Sequence, residues 1–172
     1  MRRQRSKVHP AASQPRPDRE LPRAGGDPFG TPAKLPSPTL CGDCGAVYRK
    51  GRWTWGKAPE SAQRHRCPAC RRVAEQYPAG LVWLEGSYVP LHREELENRI
   101  RHVEERERRE HPLVRVMWLR ETRQGGLEVA TTDARLARGI GSALRRAHRG
   151  ELETVASESS NLLRVYWRRD AA

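Results

Sequence analysis

A chain of 172 residues with one phenylalanine, two methionines and 36% hydrophobic residues has little apolar surface to bury, and its mean hydropathy is −0.87. That scarcity excludes two large cores. It leaves room for one ordinary domain and a small module that needs help to fold. No run approaches the roughly 18 apolar residues of a membrane span. Met1-Arg2-Arg3-Gln4-Arg5 leads into proline and charge rather than the apolar stretch of a secretory signal. We therefore expect a soluble, cytoplasmic protein with reduced thiols and no membrane partner. Catalytic signatures are also missing: there is no G-x-x-x-x-G-K-[ST] loop, no H-E-x-x-H and no serine in a nucleophile elbow. The six histidines are scattered, and His148, near a helix end, reads as a terminal cation rather than a base. A non-enzymatic role is expected.

The four cysteines that are present fall into two knuckles, Cys41-Gly42-Asp43-Cys44 and Cys67-Pro68-Ala69-Cys70. A two-residue gap lets both sulfurs of a knuckle reach one tetrahedral metal at about 2.3 Å, and Gly42, Gly45 and Pro68 suit the tight backbone this requires. The 22 residues between the pairs slightly exceed the usual spacing of about 15–20, which a longer connecting hairpin absorbs. A redox dithiol would want a thioredoxin-like strand-helix context, and a disulfide an oxidising compartment; neither is indicated. The four thiolates read as ligands of one structural Zn²⁺, closed to substrate. His65 lies close to Cys67, but the shell is complete without it. For so small a module the metal matters: structural zinc contributes about 10–16 kcal/mol to folding.

Net charge is +12. Residues 1–40 carry eight Lys/Arg against three acids and residues 41–80 eight against three, whereas residues 81–172 carry seventeen against fifteen. The excess sits on the leading arm and the cysteine module, a distribution that favours a polyanionic partner. Between the knuckles, a hairpin is expected to turn at Lys50-Gly51. Trp53 and Trp55, sharing one face, either stack on bases with Arg49, Lys50, Arg52 and Lys57 over the phosphates, or roof the zinc in place of a core. Arg71 and Arg72, beyond Cys70, complete the candidate nucleic-acid contacts. An arginine-rich composition with a merely basic surface is the plain alternative.

In order, residues 1–38 read as a disordered, basic, proline-rich arm, 39–78 as the zinc ribbon and 79–170 as an α+β domain. Two helical turns follow Cys70, then a buried strand over Leu81–Glu85. A helix from Leu91 to Glu110 shows an apolar stripe of Leu91, Leu96, Ile100 and Val103, with Glu four residues before Arg at 95/99, 97/101, 104/108 and 105/109. Strands are expected over 113–119 and 127–131. Thr132 or Asp133 caps a helix over 134–148 with Leu136, Ile140, Leu144 and Ala147 inward. Its Gly139 and Gly141 suggest close packing on a sheet. A hairpin of 151–156 and 162–168, turning through Ser157–Asn161, closes the chain. This alternation suits a ferredoxin-like sheet layer with two helices.

Taken together, Cys67-Pro68-Ala69-Cys70 through Tyr77-Pro78-Ala79-Gly80, His92-Arg93-Glu94-Glu95, Glu110-His111-Pro112-Leu113, Gly126-Leu127-Glu128-Val129, Leu136-Ala137-Arg138-Gly139-Ile140-Gly141 and Asn161-Leu162-Leu163-Arg164-Val165 resemble a small bacterial zinc-ribbon family, over about residues 36–168. More distantly, the knuckles and residues 126–165 are similar to the amino-terminal half of the archaeal and eukaryotic adaptor family that escorts the large ribosomal subunit. That family uses more than one metal cluster; here there is one cysteine set. The resemblance implies binding to ribosomal RNA or the ribosome. The expected function is a non-catalytic zinc protein associated with RNA or the ribosome. The alternative is a zinc-stabilised protein–protein interaction adaptor, for instance in a stress response.

Overall fold

Short apolar segments assemble into two sheets in the computed structural model, which describes residues 27–30, 35–156 and 161–172. Most of the expected disordered arm and Ser157–Ser160 of the expected turn lie outside the described residues. The first sheet contains β1 (Thr39–Leu40), β2 (Val47–Arg49), β3 (Arg52–Thr54) and β4 (Gln63–Arg64), ordered β3-β2-β1-β4. The β2–β3 hairpin turns where expected, with Lys50 at φ 48° and Gly51 at φ 83°. Positive φ at both central residues matches the right-handed twist of the strands. Pairing of β4 parallel to β1 was not foreseen, because two-residue strands carry no periodicity.

The helix after the second knuckle starts inside it. Helix α1 (Pro68–Ala74) takes Cys67 as N-cap and Pro68 near its first position, where a missing N–H costs nothing. The rest of the chain runs through β5 (Gly80–Glu85), α2 (Tyr88–Leu91), α3 (Arg93–Glu110), β6 (Val116–Glu121), β7 (Leu127–Thr131), α4 (Ala134–His148), β8 (Glu151–Ala156) and β9 (Leu163–Arg168). The helix expected over 91–110 is α3, beginning two residues later at Arg93, and the short α2 precedes it. His92 leaves helical backbone at φ −122°, ψ 24°, and Leu91, assigned to the apolar stripe, is 70% exposed. Leu96, Ile100 and Val103 are buried as expected.

The second sheet is ordered β6-β7-β5-β9-β8. Its first half, with β7 antiparallel between β5 and β6, is the split β-α-β expected of a ferredoxin-like layer. The closing hairpin departs from that expectation. Strand β8 takes the edge, and β9 inserts between β8 and β5, parallel to β5. Side chains explain the swap: Leu163, Val165 and Trp167 of β9 are buried, while β8 is exposed along almost its whole length. The more apolar strand takes the interior place. Val82, Leu84, Val129, Val165 and Trp167 meet Leu96, Ile100, Leu136, Ile140 and Leu144 in one core. Gly141 allows that contact, since a Cβ there would lie 2.6 Å from Val165 Cγ1. Gly139 does not: its nearest neighbour would be Val103 Cγ1 at 3.9 Å. Ala147, expected inward, is exposed. No helix among the described residues is long and apolar enough to cross a membrane.

Candidate metal centre

Two turns bring the four sulfurs together. In the first knuckle, the Cys41 N–H donates to Ala46 O at 2.8 Å and Gly45 N–H to Cys41 O at 2.9 Å; Gly45 holds φ 77°, a backbone glycine adopts without strain. In the second, the start of α1 aims N–H groups at sulfur: Cys70 N–H at Cys67 Sγ (3.4 Å), and Cys67 N–H at Cys41 Sγ (3.3 Å). All four Sγ atoms lie within 4.8 Å of one another. Cys44 and Cys67 sulfurs are 3.7 Å apart. That is too far for a disulfide of about 2.05 Å, and close to the roughly 3.8 Å edge of a tetrahedron with 2.3 Å metal–sulfur bonds. Four thiolates at that spacing suit one tetrahedral metal ion. Cys41, Cys67 and Cys70 are buried and Cys44 is partly so.

Electrostatics fit a bound cation. Burial opposes ionisation of Cys41, yet the N–H groups of Cys67, Cys44 and Asp43 outweigh it and bring its pKa down to about 7. Burial and the neighbouring sulfurs push Cys67 well above the ordinary thiol range, and burial also raises Cys70. A divalent ion bound by the four sulfurs would offset this burial and hold the thiols ionised. Arg115, just before β6, reaches the same sulfurs: Nη1 donates to Cys70 Sγ at 3.3 Å and Nη2 approaches Cys67 Sγ at 3.5 Å. Its own burial disfavours the charge, but the sulfurs more than compensate and raise its pKa. Its Nε donates to Pro112 O at 3.1 Å, which fixes the guanidinium. No spacing rule points to an arginine 45 residues beyond Cys70, so Arg115 was missing from the expected site.

The two indoles separate. Trp53 is 7% exposed and packs with Tyr48 (ring centroids 5.5 Å) in the apolar cluster around Cys41, Cys67 and Cys70. Strand β3 stops at Thr54, and Trp55 turns to α3, where its Nε1 donates to Arg108 O at 2.7 Å and the Arg108 guanidinium lies 5.8 Å from the ring. The first indole covers the cysteine cluster and the second staples the hairpin to the helix. Of the remaining contact candidates, Arg49, Lys50, Arg52 and Lys57 are exposed, with Arg49 Nη2 donating to Lys57 O at 2.6 Å. Arg64, His65 and Arg66 are exposed on and after β4, and Arg66 pairs with Asp43 at 2.6 Å. Arg71 is half-buried beside Phe29. Arg72 is 4% exposed. It pairs with Asp27, donates to Tyr77 O, and its guanidinium lies 4.8 Å from the Phe29 ring and 5.7 Å from the Tyr77 ring. Arg72 thus clamps residues 27–30 onto α1, and the chain's single phenylalanine is buried there.

Elsewhere, His148 accepts or donates at Nδ1 to the Tyr88 hydroxyl (3.3 Å), and burial pushes its pKa below the ordinary range. That weakens its expected part as a terminal cation. Comparison of the chain with protein-family models, curated proteins and solved structures returns no match.

Proposed function

We propose that this is a non-catalytic zinc protein that binds RNA, with ribosomal RNA or the ribosome as its target. The carrying observation is the surface of the cysteine module. Arg49, Lys50 and Arg52 on the hairpin, Lys57 beyond it and Arg64 on the edge strand β4 stand exposed, and the acids between residues 41 and 70 are Asp43, which faces Arg66, and Glu60. Zinc is the fitting ion, because four thiolates and no redox demand suit it best. Four thiolates also fill its four positions, so the metal holds the hairpin in shape and takes no substrate. Cations fixed on a rigid hairpin lose less entropy on meeting phosphate than the same cations on a free chain.

Purified protein should carry one zinc per chain by elemental analysis. Filter binding to ribosomal RNA should weaken steeply with salt, and K50E/R52E should weaken it further without loss of zinc. Binding that ignores salt or the K50E/R52E change would defeat the proposal.

A protein-interaction adaptor is the second reading, favoured by the face of the large sheet turned away from the helices. There Trp83 stacks on Tyr166 (4.9 Å, 11°) beside the half-buried Met117 and Trp118. The ring of Trp118 lies 4.4 Å from the Arg120 guanidinium, and Glu128 accepts from its Nε1. Mixed charge around aromatics suits protein better than RNA. A complex that survives nuclease and is lost on Trp83→Ala would support this reading.

A further inference from the structure

Helix α4 carries four arginines and no acid within its span. At about 100° per residue, Arg135, Arg138, Arg145 and Arg146 fall within an arc of about 100°, opposite the buried Leu136, Ala137, Ile140 and Leu144. Arg149 follows directly. All five are exposed. Arg135 pairs with its own N-cap Asp133 at 3.3 Å and feels Glu107 of α3; among the described residues no ion pair is made by Arg138, Arg145, Arg146 or Arg149. Near the C-terminal end, Glu95 and Arg99 of α3 and Arg169 face His148. Helix α3 behaves differently: Glu97 pairs with both Arg93 and Arg101, and Arg106 with Glu107.

Ordinary helix stabilisation accounts for only part of this. Cations in the last turn favour the helix dipole, but Arg135 and Arg138 lie toward the end where cations are disfavoured. Arg149 is the more telling residue. It holds φ 58°, ψ −142°, a conformation that glycine adopts freely and other residues adopt at a cost. The backbone is pinned there, because Arg149 O accepts from Trp167 Nε1 at 2.7 Å. An arginine kept where glycine would relax the chain points to a use for its side chain. Between the arginines, Ser142 keeps the centre of the face low and Gly139 keeps its edge low, so an approaching backbone meets guanidinium groups first.

We propose that this outer face of α4, with Arg138, Arg145, Arg146 and Arg149, is a second RNA contact that grips the phosphate backbone independently of the hairpin. The apolar side of α4 is already in the core, so the helix cannot lie in a bilayer as an amphipathic anchor does. Four unpaired guanidinium groups suit a polyanion. The inference rests on the RNA reading above.

The test uses zinc-loaded full-length protein and a labelled ribosomal RNA fragment, titrated across roughly 50–200 mM salt. R138E/R145E/R146E should bind about tenfold more weakly or worse and reduce the salt slope by about 2–3. R138Q/R145Q/R146Q gives the same direction with less risk to folding. A charge-matched control, R101E/R123E/R168E, should lose clearly less. Arg149→Gly should raise Tm while lowering affinity. Wild-type-like binding by the glutamine triple, or an equal loss in the control, overturns the α4 proposal and leaves the hairpin reading intact. No RNA binding by the wild type at any salt removes both. Capture by anionic vesicles in place of RNA also overturns it.

Discussion

Arg115 shows how a side chain outside any motif can reach a candidate metal centre. A metal(II) held by four thiolates has a formal charge of −2, and a half-buried guanidinium beside two of the sulfurs offsets part of it. Arg115→Ala should keep the four ligands but weaken zinc by about 10–100-fold, as loss of an outer-shell partner does. Competition with a chromophoric chelator measures this; an unchanged zinc affinity would show that the N–H···S contacts contribute nothing. Arg115→Lys should restore only part, since a single ammonium cannot reach both sulfurs and Pro112 O together. At this scale the four-cysteine cluster was legible from spacing alone, because a knuckle's chemistry is local. Arg115 and the Asp27–Arg72 pair were not, because each depends on residues 45 apart in sequence meeting in space.

Elements were legible where a period ran long enough to count. Helix α4 and strands β7, β8 and β9 fall within a residue or so of their expected limits. Leu91 was misplaced because, five residues before Leu96, it stands about 140° off the stripe of Leu96, Ile100 and Val103, so its apolar side chain alone was no sign of burial. The expected i,i+4 pairs in α3 fared unevenly. Glu97–Arg101 closes at 2.9 Å, but Glu104 accepts the Val116 N–H at 2.8 Å and Arg108 turns to Trp55. Tertiary partners outweigh such pairs because each is worth only about 0.2–0.5 kcal/mol. The two glycines of α4 make a sharper case. Gly139→Ala should stabilise by about 0.5–1 kcal/mol, since no neighbour resists a Cβ there. Gly141→Ala should destabilise by about 1–3 kcal/mol by forcing Val165 and Leu152 apart. Urea melts of the two variants should move in opposite directions; a shared direction would refute this packing account.

Across the whole molecule the class was legible and the connection was not. Alternating strands and helices pointed to α+β, yet the order β6-β7-β5-β9-β8 follows from competition between β8 and β9 for the interior, which no local pattern reveals. The two sheets are also joined more firmly than a ribbon beside a domain would be. Arg115 reaches Cys67 and Cys70, Trp55 holds Arg108, and Leu113 packs on the cysteine cluster. Chelation should therefore lower the melting transition of the entire chain, and circular dichroism of α3 and α4 should report it together with the fluorescence of the ribbon. Two separate transitions, with the helices unmoved by chelator, would argue against coupling.

The Arg115 bridge also bears on how much of the protein a cell keeps. A ligand that binds only the folded state adds about 1.4 kcal/mol to stability for each tenfold rise in its free concentration above Kd. With zinc as the proposed ion and the bridge spreading that gain over both sheets, the fraction of chains escaping proteolysis should rise and fall with free zinc. Scarcity of the metal would thin the population of the protein itself, and the cell's zinc supply would set its abundance after translation.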